Sequence, residues 1–420
     1  MEDPMAGRSR GPLSGVRVVE VGVWHAGPGA GAIMADLGAE VIKVESLGSD
    51  PERLYGGFGH LDGKSPLPRP DWNVLFEVSN RNKQGIALDI STQEGQEILH
   101  RLVEGADVFL TNLRNGTKSR LGIEYDALRA VNSRIVYLNV SAFGPKGPLA
   151  DGPGFDTLGQ AVSGMMYMTG SEEPAALSML ILDQLTAIAA SHAVIAALLS
   201  RELHGAGQEV HASLYGAGMW LQHANYLIKS IVKEPVDLSW DRLDASPLRT
   251  TYVCKDGKWI VGTGHPPERY WPQFCTVLGR PDLLTDARFA TRQQRQAAKS
   301  ELFAELDSAF LQRNRSEWLE IMSQSDLPFA PVNGLAEVLV DPQAIENGYV
   351  QEFEHPYLGS IKVPGYPVSF GGHVPALQSR APELGEHTRP ILESLGYDAQ
   401  TIDLLHKKRV VKLFDADQAD

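Results

Sequence analysis

The chain has 420 residues, with 38 Lys and Arg set against 52 Asp and Glu, a formal net charge of −14 at pH 7. Hydrophobic residues supply 43% and charged residues 21%, which excludes a disordered chain and a membrane bundle and leaves a folded protein of about two to four domains. The acidic balance argues against nucleic-acid and anionic-membrane partners, although a local basic pocket can still hold a phosphorylated ligand.

Residues 1–15 are polar and lack an apolar core, so they read as an unstructured arm and not as a signal peptide. Strand-like and helix-like segments then alternate: a strand over 16–23, a Gly/Pro turn, a helix over 29–37, and a strand over 40–44. After a looser stretch, 48–72, the pattern resumes with strand 86–90, helix 93–104, strand 107–111, helix 125–131 and strand 134–140. Such alternation predicts an α/β core with a parallel sheet, because parallel neighbours need crossover connections.

A helix is expected over 155–168 and a long one over 184–203, the latter stopped by His204-Gly205-Ala206-Gly207. Its apolar stretch 187–199 is shorter than the about 20 residues of a bilayer span, so it reads as a core helix. A further strand follows over 208–214. Strands 250–254 and 258–262 around Asp256-Gly257 form a hairpin signal, and helices over 269–278 and 300–325 complete a smaller α+β domain. Pro328 to Pro331 mark an exit, and an extended return ends in a helix over 389–395. The domain reading is 1–225 for the first part of the large domain, 226–335 for the small one, and 336–420 for a return that completes the large one. Cys254 and Cys275 are the only cysteines; their spacing suits neither a disulfide framework nor a metal site, and the cytoplasm is the expected compartment.

Gly27-Pro28-Gly29-Ala30-Gly31 after the first strand imitates a dinucleotide-binding turn. The GxGxxG spacing fails at Met34, and Pro28 removes an amide that a pyrophosphate would use. A Gly/Pro loop that merely turns strand into helix is the plainer reading, with NAD binding as the runner-up.

Three positions could carry chemistry. Asp183, directly before the long helix, reads either as its N-cap or as a carboxylate nucleophile toward an activated acyl group, favoured in ionised form by the helix dipole. Asn112-Leu113-Arg114 follows a strand at its carboxyl end, where open α/β sheets place ligands. Arg114, Lys118 and Arg120 form a cationic group suited to phosphate or simply to a solvated face. His25, in the first loop, is either structural or a site residue. Aromatics within 55–72 (Tyr55, Phe58, His60, Trp72), with Trp220 and Tyr226, read as an acyl pocket or as core packing.

Taken in order, these segments resemble the class III CoA-transferase family, the formyl-CoA and carnitine-CoA transferase type that includes alpha-methylacyl-CoA racemase. The resemblance is carried by residues 13–18, 35–45 (ADLGAEVIKVE), 80–83 (NRNK) with Leu88-Asp89, 120–122 (RLG), 143–145 (FGP), 154–156 (GFD), 205–208 (GAGQ), 331–333 (PVN), 341–343 (DPQ) and 384–388 (LGEHT). It implies a Rossmann-like large domain made from both chain ends, a small central domain, and an interlocked homodimer. It further implies an acyl-CoA:carboxylate CoA-transferase, with CoA thioesters as substrates and no tightly bound cofactor. Asp183 falls at the family's nucleophile, which forms an aspartyl anhydride and then an aspartyl-CoA thioester.

The family's CoA-contacting positions fall at His25, Ala26, Leu88, Ser91, Asn112, Leu113, Arg120, Leu121, Phe155 and Asp156; Arg114 joins them as a candidate for the phosphates. Several relatives place basic residues where Ser46, Ser91 and Pro153 stand, so the grip on the 3′-phosphate is redistributed here. The racemase branch pairs a His-Asp dipeptide with the later aspartate, where this chain has Phe155-Asp156. A phenyl ring cannot shuttle a proton, so transfer is favoured over the alternatives of racemisation or epimerisation and of CoA binding without turnover.

Overall fold

The computed structural model describes residues 11–55, 73–169, 173–232, 242, 245–371 and 374–415. Of the aromatic stretch 55–72, only Tyr55 falls among them. The chain divides into two compact units, one of residues 1–169, 173–236 and 348–420, the other of 170–172 and 237–347.

The first unit is built on a seven-stranded sheet. Its strands are β1 (Arg17–Val21), β2 (Glu40–Glu45), β3 (Gln84–Leu88), β4 (Val108–Thr111), β5 (Val136–Ser141) and β6 (Glu209–Ser213), in spatial order 3-2-1-4-5-6 and mutually parallel. The last strand of the chain, Val411–Lys412, closes the β3 edge antiparallel. Both faces are buried, as a parallel sheet requires. Val18, Leu110 and Leu138 point to one face, under α1 (Ala26–Asp36) and the long Ile181–His204 helix. Their neighbours Val19, Phe109 and Tyr137 point to the other, among the side chains of Gln93–Glu104, Tyr125–Val131 and two C-terminal helices. This two-residue alternation is what holds helices on both sides. The order reverses between β1 and β4, and at such a switch point a doubly wound sheet opens a crevice beyond the strand ends.

Several expectations are corrected. The glycines of 27–31 do not form a loop: they lie inside α1. The strand-to-helix turn is made upstream, at Gly22–His25, with Trp24 at φ 61. The glycines serve packing instead. A Cβ on Gly31 would stand 2.1 Å from Glu20 Oε2, and one on Gly29 would stand 3.1 Å from the Ala187 Cβ. The single helix expected over 155–168 is α2 (Asp156–Val162), broken at Gly164 with φ 66 before a 3-10 turn at Met165–Met168. The long helix, α3, starts at Ile181, so Asp183 sits inside its first turn and Leu180 holds the cap position.

Among the described residues, α3 is the one helix long and apolar enough to cross a membrane, and its Ala187, Ala190 and Val194 are buried in the core it shares with α1. In the second unit, strands Thr251–Val253 and Trp259–Gly262 form the expected hairpin. Residues Phe329–Val332, read as an exit, add a third antiparallel strand at the edge of the hairpin, the position in a sheet where a proline such as Pro331 is tolerated. The 300–325 helix is two, Lys299–Phe310 and Arg315–Ser323, the second restarted by the Asn314 and Glu317 capping box. The return segment contains a hairpin, Val350–His355 with Gly359–Pro364, and beyond the expected helix (Thr388–Ser394) a second one, Ala399–Lys407.

Candidate active site

A cavity of about 360 Å³ opens at the switch point and is lined by residues from the β1, β4 and β5 ends and the first turn of α3. Asn112 organises its floor: Oδ1 accepts the Val23 N–H at 3.0 Å and Nδ2 donates to the Val23 carbonyl at 2.6 Å, tying the β1 exit to the β4 exit. Gly22 and Gly27 leave room for it, since a Cβ on either would come within 3.2 Å of the Asn112 side chain. Trp24 forms one wall. Its backbone N–H donates to Asp50 Oδ1 at 3.2 Å, and its ring meets Tyr55 and Phe155 edge-on at centroid distances of 5.6 and 5.5 Å.

Asp183 reaches this cavity from α3. It does not cap its helix. The first-turn amides of Leu182 and Asp183 instead donate to Asp156 Oδ2, at 2.7 and 3.0 Å, so a buried carboxylate from α2 takes the capping role. The Asp183 carboxylate itself has no hydrogen-bond partner among the described residues, and it is half-buried. Burial, reinforced by the Asp156 charge, pushes its pKa up to about 7, against the ionising effect expected from the helix dipole. Both helix donors that would favour its charge are spent on Asp156.

The anticipated site residues fall into three groups. Ala26, Asn112, Leu113, Arg114, Phe155 and Asp183 line the cavity together. His25 and Asp156 are buried directly behind it, His25 with Nδ1 2.8 Å from Ser79 Oγ and Nε2 2.8 Å from Gln184 Oε1. Ser91, Arg120 and Leu121 lie outside the cavity lining, yet their loops are stapled together. Gln96 Nε2 donates to the carbonyls of Ile90 and Leu121, at 2.5 and 2.6 Å. Ser91 and Arg120 are exposed there, while the Leu88 side chain is turned into the core at 1% exposure and offers a ligand only its backbone. Of the cationic group, Arg114 faces the cavity and Lys118 is buried, its pKa lowered by that burial.

Sequence reasoning passed over Trp24, Ser79 and Gln184. Trp24 and Gln184 were each adjacent to a residue already singled out, and that adjacency was the only signal. Ser79 had none, because its contact with His25 spans 54 positions.

Comparison with known proteins agrees with the geometry. A family model described as CoA-transferase family III matches residues 13–388. The chain is 31% identical over 408 residues to the (R)-2-hydroxy-4-methylpentanoate CoA-transferase of Clostridioides difficile, covering 95% of this chain and 99% of that one. It is 32% identical over 407 residues to the human succinyl-CoA:glutarate CoA-transferase, covering 95% and 90%. The crystal structure of a CAIB/BAIF family protein from Brucella suis superposes with a TM-score of 0.80 at 29% identity, over 92% of this chain and all (100%) of that one. With a match across most of its length and relatives that transfer CoA, the chain is an enzyme and belongs to the class III CoA-transferase family.

Proposed function

We propose that this enzyme moves CoA from an acyl-CoA donor to an acceptor carboxylic acid by way of Asp183. One observation carries the reading: a carboxylate with no hydrogen-bond partner among the described residues, and a pKa near 7, faces a cavity at the switch point. Few protein donors compete for its lone pairs, and a carboxylate of raised basicity is a stronger nucleophile than a solvated one.

An Asp183 oxygen bonds to the thioester carbon and CoA leaves as the thiolate, giving a mixed anhydride. The thiolate then attacks the aspartyl carbonyl, releasing the donor acid and leaving an aspartyl-CoA thioester. The acceptor acid reverses both steps. Each intermediate conserves the activation that hydrolysis would waste, so the cavity must stay dry during the exchange. Arg114, on the cavity wall, is positioned for the CoA pyrophosphate; Ser91, Arg120 and Leu121 form a second contact region around Gln96. CoA enters as substrate, and no resident cofactor is required by the scheme.

Incubation with a panel of acyl-CoAs, followed by mass analysis of the peptide holding Asp183, tests the reading. An acyl or CoA adduct on Asp183 is the expected result and identifies the donor. An adduct on another residue, or none with any donor, sinks it.

The protein is further proposed to be a homodimer, interlocked as in its family, with the small domain expected over 226–335 corresponding to the compact unit that includes 237–347, and with the enzyme acting in the cytoplasm. The support is an exposed apolar stripe along α3 (Ile188, Ile195, Leu199, Leu203), together with Trp220 at 73% and Ile231 at 70% exposure on the helices that follow it in the chain. A contiguous apolar face of this kind marks a protein interface. Sedimentation should give a dimer mass, and Leu199→Glu with Leu203→Glu should lower it.

A further inference from the structure

We infer that Asp151 and Asn115 are specificity-determining residues for the transfer reaction: the hydrogen bond between them holds residues 143–154 as a lid on the Asp183 cavity, and so reserves the activated enzyme for a carboxylic acid and keeps it from water. The inference rests on the proposed scheme, in which Asp183 is the nucleophile.

That scheme is open to a competing step. Water adds to the aspartyl carbonyl carbon of the enzyme-CoA thioester, the C–S bond breaks, and CoA leaves as the thiol with one of the water protons. The other proton is released as the Asp183 carboxylate is restored. The net change is hydrolysis of the donor. Both acids must nevertheless enter and leave, so the wall that excludes water has to open and close.

The loop from β5 to α2 has the construction this needs. Its Gly144, Pro145, Ala150, Gly152 and Gly154 all line the cavity that Asp183 reaches. Its two ends meet, since a Cβ on Gly154 would collide with that of Ala142. Its interior is filled by its own Phe143, whose ring a Cβ on Gly152 would approach to 3.2 Å. Residues 145–149, at its outer end, are exposed. A loop closed at its base and packed on its own side chain moves as one body.

Residues 145–153 keep a single tie. Among the described residues, the only hydrogen bond that joins them to a residue beyond the loop runs from Asn115 Nδ2 to Asp151 Oδ1, at 2.6 Å. Asn115 follows the β4 exit, begins the short helix Asn115–Arg120 and lines the cavity; Asp151 stands between two loop residues that line it. The bond therefore joins the segments that leave β4 and β5 at the cavity wall. Both partners are exposed, so water competes for each and the net strength of the bond is small. Such a tie opens and remakes readily, as a lid that admits two acids in turn requires.

Assays that follow free CoA and exchanged acyl-CoA in the same reaction test this. Asp151→Ala should raise the ratio of hydrolysis to transfer about tenfold, because the acceptor of the latch is lost. Asn115→Ala should do the same, and the double variant should add almost nothing to either, since both remove one bond. Asp151→Asn keeps an oxygen for the Asn115 amide and should stay within about threefold of wild type. Amide hydrogen exchange over 145–153 should quicken in Asp151→Ala. A wild-type ratio in Asp151→Ala, or single effects that multiply in the double variant, would overturn the inference. So would hydrogen exchange over 145–153 that Asp151→Ala leaves unchanged, a result that stands even if the variant has lost turnover. Failure of the nucleophile assignment looks different: wild-type protein would then form no adduct on Asp183, whereas a failed lid leaves that adduct in place and the ratio unmoved.

Discussion

Glu20 and Asp183 are carboxylates of the same structural unit with opposite surroundings. Glu20, on β1, is fully buried and receives Lys83 Nζ at 2.8 and 3.0 Å and Lys43 Nζ at 3.3 Å. Those ammonium groups are themselves completed by Asp50 Oδ2 (2.9 Å), the Gly22 and Pro28 carbonyls, and Asn80 Oδ1. Two negative and two positive groups close on one another, out of contact with water. Asp183 has a wall of cavity, a like charge on Asp156 as its neighbour, and no ammonium or guanidinium hydrogen-bonded to it among the described residues. The contrast separates two uses of a buried charge: saturated with partners it locks geometry, and left short of partners it stays reactive.

The largest effects should fall at the two ends of that comparison. Asp183→Ala should reduce CoA exchange by roughly 10⁴-fold or more, as removal of a covalent nucleophile does, with the fold intact by circular dichroism. Normal exchange by that variant would end the mechanism proposed above. Glu20→Ala should leave two buried ammonium groups facing each other and lower stability by about 3–5 kcal/mol in denaturant titrations. A loss below about 1 kcal/mol would show that the network contributes little to holding α1 on the sheet.

The two regions were also unequally legible in the sequence. Helices 93–104 and 125–131 were readable to the residue, because their apolar spacing and end signals are local. The parallel sheet rests on the same alternation, whereas its strand order, which alternation does not specify, came only from the structure. The Glu20 cluster was not legible, since its members come from β1, β2 and the segments around 50 and 83, and nothing local marks a Lys or Glu as internal. The glycines of α1 misled for a related reason. They suggested a turn, whereas Gly31 is required by the carboxylate beneath it. At the other end of the comparison, Asp183 stood out through its place before a long helix and through family resemblance, and of its two readings the cap is the one the structure does not bear out. The cap comes from Asp156, 27 positions earlier, and a tertiary hydrogen bond leaves no periodic trace.

A pH profile sharpens the contrast further. Because only the ionised carboxylate attacks, kcat/KM should fall about tenfold per pH unit below an apparent pKa near 7. Asp156→Asn removes one of the two causes of the raised pKa while keeping a cap acceptor. Its acid limb should therefore move to lower pH. An unmoved limb would assign the shift to burial alone.

The smallest expected effect is on stability, and its sign distinguishes the two carboxylates most directly. In the unfolded chain Asp183 ionises near 4, and in the folded protein near 7. Between those values the folded state binds more protons than the unfolded one, so this group's contribution to stability declines as pH rises through that window. Asp183→Asn keeps the shape and removes the ionisation. It should therefore be more stable than wild type at pH 8, by about 1 kcal/mol once the half-exposed setting is allowed for, with the gap narrowing at pH 5. Glu20→Gln should show the reverse at pH 8, a loss, because there the charge has partners. If Asp183→Asn also proves destabilising at pH 8, Asp183 is as well satisfied as Glu20, and its reactivity cannot come from a shortage of partners.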